Sequence, residues 1–199
     1  MELIIIRHGQ TDLNKQSMIQ GSEVDAPLNQ AGIAFAQASA ENFDASDFAA
    51  VYVSPLKRAV QTAQIFTKNQ AQLIYDERLK EMDYGSWDGH SVAEMKAKYP
   101  ECFDSWGFIR DNYSQYATGG ESFAELEKRC ASFLDDLTKK YDQEKILVVC
   151  HGATSRMLVA HLFMGGSAAH LHQMDNCGLT KIEFAGTRPE LIYYNRVLA

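Results

Sequence analysis

Short apolar runs alternate along the chain with longer stretches of helical spacing, and this alternation constrains the fold more than any other feature. Candidate strands lie at residues 3–6, 50–53, 73–75, 146–149, 179–184 and 191–194. Candidate helices lie at 31–41, 57–67, 123–141 and 155–164. The runs 3–6 and 146–149 are apolar without interruption, which is typical of strands covered on both faces. Strands that alternate with helices form mostly parallel sheets. We therefore predict an α/β fold, a three-layer α/β/α sandwich.

Residues at the ends of the candidate helices support these boundaries. Asn29 is a candidate N-cap for the helix at 31–41. In the longest helix, Glu121 is expected in the first turn and Lys139 and Lys140 in the last turn, where their charges complement the helix dipole. The two glycines that follow residue 164 end the last helix. A turn is expected at 186–189, between the last two strands.

The chain length of 199 residues suits one domain, and we expect residues 1–199 to form it. The segment at about 85–120 does not fit the strand–helix alternation. It is rich in aromatic residues: Trp87, Phe103, Trp106, Phe108, Tyr113 and Tyr116. We expect it to be an insertion, or cap, with a small apolar cluster of its own, in which the choice of substrate resides.

Composition excludes several classes of protein. A net charge of −7 argues against a nucleic-acid partner, which requires clustered lysines and arginines. No apolar run approaches the roughly 20 residues of a membrane span, and the run at 3–6 is too short for a signal peptide. The four cysteines are scattered without zinc-ligand spacing. We therefore expect reduced thiols, a cytoplasmic protein and no membrane partner.

Polar residues collect directly after the buried strands, at the sheet edge where ligands of open α/β folds bind. Arg7, His8 and Gly9 follow the first strand. The second strand is followed by a segment that contains Arg58, and the strand at 146–149 is followed by His151 and a glycine. Glycine after histidine allows close approach of a ligand and leaves backbone N–H groups free for an anion.

Histidines and arginines in this arrangement suit phosphoryl transfer. A histidine with a free ring nitrogen can attack phosphorus, while arginines neutralise the charge of the transferring group. A carboxylic acid must then protonate the leaving oxygen. Glu81, after the third strand, is the best candidate, and Asp83 is its competitor.

These residues belong to blocks that resemble the histidine phosphatase superfamily, which includes the cofactor-dependent phosphoglycerate mutases. The blocks are RHGQT from Arg7, Asn14, Gln20–Gly21, SPLKRAVQTA from Ser54, EMDYGSWDG from Glu81, GGES from Gly119, and His151–Gly152. They occur in family order over most of the chain. Gln10 departs from the pattern, since many members have Glu there, and we expect the chemistry to survive this change.

The resemblance implies a role for each matching position. His8 would be the nucleophile that becomes phosphohistidine, and Glu81 would be the general acid and then the base that activates water. The phosphoryl group would be bound by a larger set: Arg7, Asn14, Gln20, Gly21, Arg58, His151 and Gly152. The reacting nitrogen of His8 must be unprotonated, so we expect its other nitrogen to donate to a backbone carbonyl. Neither a metal nor another cofactor is implied, because arginines neutralise the phosphoryl charge.

The resemblance predicts a phosphatase that hydrolyses a small phosphorylated metabolite. The mutases of the family are longer, with segments that exclude water from the phosphoenzyme, and this chain has only a modest insertion. Phosphoglycerate mutase-type transfer is the first alternative, and a non-catalytic module that binds a phosphorylated ligand is the second. Whether the chain forms an oligomer is also left open.

Two further patterns offer different chemistry. Cys150 and Arg156 fit C-x5-R, the pattern of cysteine-dependent phosphatases, although this interpretation gives Arg7, His8 and Arg58 no role. A buried cysteine that ends a strand is the simpler explanation. His161, His170 and His172 could bind a metal, but no cysteine or carboxylate has the supporting spacing.

Overall fold

The computed structural model describes residues 1–168 and 171–199 and contains a six-stranded sheet between two layers of helices. The strands are β1 (Glu2–Arg7), β2 (Phe48–Val53), β3 (Leu73–Tyr75), β4 (Lys145–Cys150), β5 (Leu179–Ala185) and β6 (Arg188–Arg196). Their order in the sheet is β3-β2-β4-β1-β5-β6. The strands β1 to β4 pair in parallel. The strand β5 pairs antiparallel with β1, and β6 pairs antiparallel with β5. The predicted α/β/α sandwich with a mostly parallel sheet is confirmed.

Six helices lie among the described residues. They are α1 (Asp12–Lys15), α2 (Gln30–Glu41), α3 (Lys57–Phe66), α4 (Val92–Lys98), α5 (Phe123–Lys140) and α6 (Gly152–Met164). The helices α2 and α3 pack together on one face of the sheet, and α5 and α6 pack on the other. Alternate residues of β1 accordingly enter different cores: Leu3 and Ile5 face α5 and α6, whereas Ile4 and Ile6 face α2 and α3.

The register of the parallel strands places the predicted site residues side by side. Arg7, at the end of β1, lies opposite Cys150 of β4. Val53, at the end of β2, lies opposite Val149 of β4. The residues that follow these strands, His8, Ser54 and His151, therefore meet at one edge of the sheet.

Most predicted boundaries hold, and three require correction. Glu121 precedes the first turn of α5, because the N-cap is Ser122 and the acidic residue that completes its capping box is Glu125. The helix α6 begins at Gly152 rather than at residue 155, so that His151 is its N-cap residue. The last turn is also shorter than predicted, and Pro189 already belongs to β6. Asn29 caps α2 as predicted, accepting a hydrogen bond from the Gly32 N–H.

The segment at 85–120 consists of α4 and short 3₁₀ turns. Trp87 stacks on Tyr99 and Phe103, and these rings continue into the core between the sheet and helices α5 and α6. The predicted separate cluster is thus an extension of the main core. Trp106 takes no part in it, since 78% of its surface is exposed. Within the parts of the chain that the structure covers, no helix is long and apolar enough to cross a membrane.

Candidate active site

A cavity of about 150 Å³ opens at the carboxyl ends of β1 and β4, beneath the 85–120 segment. Residues from the sheet edge, from the segment after β3 and from the 85–120 segment line it. Those used below are Arg7, His8, Asn14, Gln20, Glu81, Phe108, Ala153 and Arg156.

The side chain of His8 presents one free ring nitrogen. Its Nδ1 lies 2.7 Å from the carbonyl oxygen of Gly9. Because a carbonyl oxygen only accepts, Nδ1 carries the hydrogen and Nε2 keeps its lone pair. Burial lowers the pKa of His8 well below its ordinary value, and the charges of Arg58 and Arg7 lower it further. The ring is therefore neutral at physiological pH.

The carboxylate of Glu81 is fixed by the first turn of α6. Its Oε1 accepts hydrogen bonds from the N–H groups of Ala153 at 3.1 Å and Thr154 at 3.2 Å, and from Met82 N–H at 3.0 Å. The Thr154 hydroxyl lies 3.3 Å from Oε1, but its one hydrogen is donated to the Lys80 carbonyl oxygen at 2.6 Å. Among the described residues, the second oxygen, Oε2, accepts only from the Ala153 N–H, at 3.2 Å. Oε2 is therefore the oxygen that is available to carry and exchange a proton.

Three buried donors on the cavity wall have no hydrogen-bond partner among residues 1–168 and 171–199. They are Nε of Arg7, Nε2 of Gln20 and Nε of Arg156. The rest of the Gln20 amide is held in place, since its Oε1 accepts from the Thr11 hydroxyl at 2.8 Å. An unpaired buried donor costs about 1–3 kcal/mol. Three of them on one small cavity suit an anionic ligand.

Arg58 and His151 are fully buried behind the cavity wall rather than exposed on it. The Arg58 guanidinium donates from Nε to His151 Nδ1 at 3.1 Å, and its other nitrogens donate to the carbonyls of Val24 and Gly21. Because His151 Nδ1 accepts, its Nε2 carries the hydrogen and donates to the Ser54 hydroxyl at 2.7 Å. Burial lowers the pKa of Arg58 to about 10, which leaves it charged.

The His151 ring lies 5.1 Å from the His8 ring, measured between centroids. Its pKa is lowered well below the ordinary value by burial and by the neighbouring Arg58 charge. The structure therefore brings Arg58 and His151 next to the nucleophile, but it engages their polar atoms with protein partners.

The remaining predicted residues have different surroundings. Asn14 lines the cavity, and its Oδ1 accepts from the Thr11 N–H at 3.1 Å. The N–H of Gly21 donates to Asp88 at 2.7 Å, so it is not free for a phosphoryl group. Gly152 is needed for space, since a Cβ there would lie 2.5 Å from an amide nitrogen of Gln173. The pKa of Asp88 rises to about 6, chiefly because of burial.

Three positions at the candidate site escaped prediction. Arg156 was noted only as the end of the C-x5-R pattern, yet it lines the cavity from the second turn of α6. The backbone of Ala153 and Thr154 was missed because α6 was expected to begin later. No side-chain cap marks its true start, since the N-cap residue His151 makes no side-chain capping hydrogen bond.

The alternative chemistries receive no support from the geometry. Cys150 is fully buried, and burial raises the pKa of its thiol well above the ordinary value, which keeps it protonated. His161 is bonded to Glu127 at 2.6 Å, and His172 is exposed. His170 lies outside the described residues. Among those that the structure does describe, no group of three or more His, Cys, Asp or Glu side chains could hold a metal ion.

Comparison with known proteins decides the family. The family model described as "Histidine phosphatase superfamily (branch 1)" matches residues 3–197. The chain belongs to the histidine phosphatase superfamily. The resemblance inferred from the sequence motifs is thereby confirmed.

Relatives of this histidine phosphatase include named phosphatases. It is 34% identical to the metal-independent phosphoserine phosphatase of Arabidopsis thaliana, over 85% of this chain and 72% of that protein. It is 31% identical to phosphoserine phosphatase 1 of Hydrogenobacter thermophilus, over 81% and 76% of the two chains. The crystal structure of phosphoserine phosphatase from Entamoeba histolytica with 3-phosphoglyceric acid has a TM-score of 0.81 at 30% identity, covering 98% and 96%. These relatives support a phosphatase of small phosphate esters and do not favour the mutase alternative.

Proposed function

We propose that this histidine phosphatase hydrolyses a small phosphomonoester through a phosphohistidine at His8, with Glu81 as the proton donor and acceptor. The observation that carries the proposal is the state of the two side chains on one cavity wall. His8 offers a lone pair on Nε2 because Gly9 fixes its tautomer. Glu81 offers Oε2, because α6 occupies Oε1.

In the first step, the Nε2 lone pair of His8 attacks phosphorus and the bond between phosphorus and the ester oxygen breaks. The ester oxygen leaves with the proton of Glu81. In the second step, the Glu81 carboxylate takes a proton from water while the water oxygen attacks phosphorus. The phosphorus–nitrogen bond breaks, its electron pair returns to Nε2, and inorganic phosphate leaves. Both catalytic groups end in their starting states.

Arg7 and Gln20 are proposed to bind the phosphoryl oxygens with the donors that they leave unpaired on the cavity wall. Asn14 completes this wall. Arg58 contributes positive charge from behind it. Its Nη1 and Nη2 each donate one hydrogen to a backbone carbonyl, of Val24 and Gly21, and each carries a second hydrogen. Because these cationic side chains neutralise the phosphoryl charge, the reaction proposed here needs no metal.

The test is phosphate release from an aryl phosphate in the presence of a chelator. We expect His8→Ala to abolish turnover, because it removes the proposed nucleophile. Cys150→Ser is the matched control and is expected to retain activity, since that thiol does not reach the cavity. Denaturing the wild-type enzyme during turnover at alkaline pH should trap one phosphoryl group on the peptide that contains His8. Activity in His8→Ala would overturn the proposal.

The substrate is proposed to be a small phosphorylated metabolite, which fits the cavity volume of about 150 Å³. Phosphate release and isomerisation of 3-phosphoglycerate, measured side by side, separate hydrolysis from mutase transfer. We expect release of phosphate without isomerisation. Isomerisation at a comparable rate would favour the mutase instead.

A further inference from the structure

Arg156 is a buried cation that has no negatively charged partner among the described residues. Only 7% of its surface is exposed. Its Nη2 donates to the carbonyl oxygen of Ala168 at 2.7 Å, and its Nε has no partner among the described residues. It forms no ion pair within residues 1–168 and 171–199, and the two residues outside those ranges, Ala169 and His170, are not acidic.

A buried charge without a partner lowers the free energy of unfolding, so we expect one where a ligand supplies the opposite charge. Arg129 shows the contrast within the same fold, since its guanidinium is bonded to Glu121 at 2.6 and 2.9 Å. Arg156 has no such carboxylate. Its guanidinium lies over the ring of Phe108, 4.8 Å from the centroid, which fixes the plane of the group without using its donors.

The position of Arg156 makes it a wall of the catalytic cavity. It lines the same cavity as His8 and Glu81, together with Phe108. Arg7 and Gln20 already provide unpaired donors for the phosphoryl group. The phosphoryl transfer proposed above therefore leaves Arg156 without a role.

Resting on that proposed function, we propose that Arg156 is the specificity residue of the site and binds a carboxylate of the substrate. The preferred substrates are then phosphomonoesters that carry a carboxylate a few bonds from the phosphate. Because Arg156 lines the same cavity of about 150 Å³ as His8, a carboxylate that it binds lies close to the phosphoryl group. The planar fork of a guanidinium matches a planar carboxylate.

The test compares two ligands that differ only in the carboxylate: 3-phosphoglycerate and glycerol phosphate. Binding is measured by calorimetry to His8→Ala enzyme, so that no turnover intervenes. A charge-assisted hydrogen bond to a buried arginine corresponds to a preference of about 10- to 100-fold for 3-phosphoglycerate. Adding Arg156→Gln to the His8→Ala enzyme should reduce this preference to within about threefold, mainly by weakening the binding of 3-phosphoglycerate.

The matched control is Arg110→Gln, which removes an arginine that does not line the catalytic cavity and should leave the preference intact. Inhibition of the Arg156→Gln enzyme by inorganic phosphate should also be unchanged, which shows that the phosphoryl pocket is preserved. Equal binding of the two ligands before the substitution, or a preference that survives it, would overturn the inference. Turnover by the wild-type enzyme tests the proposed hydrolysis separately. If the enzyme released phosphate from neither ligand, the proposed hydrolysis would be contradicted, whereas the binding measurement would still test the role of Arg156.

Discussion

The ion pair between Arg129 and Glu121 fixes the segment that carries the proposed general acid. Arg129 donates from Nε and Nη2 to the Glu121 carboxylate, and from Nη1 to the carbonyl oxygens of Arg78 at 2.6 Å and Lys80 at 2.8 Å. Both carbonyls precede Glu81 in the chain, that of Lys80 directly. Only 19% of the Arg129 side chain and 16% of the Glu121 side chain are exposed. Arg129→Met therefore leaves a largely buried carboxylate without its cationic partner and removes one donor from each of the two carbonyls.

Removing one partner of a buried pair costs about 3–5 kcal/mol of unfolding free energy. For a chain of this length, that corresponds to a fall in melting temperature of about 6–20 °C. A general acid contributes about 10²–10⁴-fold to the rate, so partial displacement of Glu81 should lower kcat by about 10- to 100-fold. We expect KM to change much less, because Arg129 does not line the catalytic cavity.

Urea unfolding and steady-state phosphate release measure the two effects. The double variant Arg129→Met with Glu121→Gln removes both charges, so it should be more stable than Arg129→Met alone by at least about 1 kcal/mol. Lys80→Met is the matched control, because it breaks the exposed pair with Glu77 beside the same segment. It should change stability by less than about 0.5 kcal/mol and leave kcat unchanged. Additive losses in the double variant, or an unaltered kcat in Arg129→Met, would refute the coupling.

Three further outcomes are expected. Burial raises the pKa of Asp88 to about 6, so the folded state binds its proton more tightly than the unfolded state. The contribution of Asp88 to the unfolding free energy should therefore fall as the pH rises from about 4 to about 6. Asp88→Asn should remove this pH dependence from urea titrations. Gly21→Ala should destabilise the protein by about 1–3 kcal/mol in the same assay, because its Cβ would lie 2.3 Å from an Asp88 oxygen. Nitrogen NMR should find the His8 ring neutral, with its hydrogen on Nδ1, at pH about 6.5, the ordinary histidine pKa; a charged ring at that pH would contradict the assigned state.

The parallel half of the fold could be predicted because three of its four strands, β1, β2 and β4, are largely buried on both faces. Burial leaves a run such as 146–149 apolar at every position, and the chain must then supply helices on both sides. The start of α6 was harder to predict. Gly152, Thr154 and Ser155 have weak intrinsic helix preference, so local sequence places the boundary too late. Their helical conformation depends on contacts from a distant segment, including the bond from the Thr154 N–H to the Glu81 carboxylate and the bond from the Thr154 hydroxyl to the Lys80 carbonyl.

Sequence patterns located the cavity residues that follow strands, because strand ends meet at one sheet edge. They placed Arg58 and His151 correctly near His8, but they could not show that both side chains are bonded within the protein. That distinction depends on backbone carbonyls of Gly21 and Val24, which every residue possesses and no sequence pattern marks. The role of each predicted site residue in catalysis stays a prediction until the His8 and Glu81 variants are measured.

The two helical arginines, Arg129 and Arg156, show which further information a structure adds. Each is largely buried and each donates to a backbone carbonyl, so residue type and burial do not separate them. The charged partners of the two side chains do separate them. Glu121 lies eight residues before Arg129, too far for a neighbour on the same helix, and reaches it only because it precedes the N-cap of α5. Arg156 lines the catalytic cavity and forms no ion pair among the described residues. The fold therefore explains the charge of the first arginine, and the second is the one that we propose to bind a ligand.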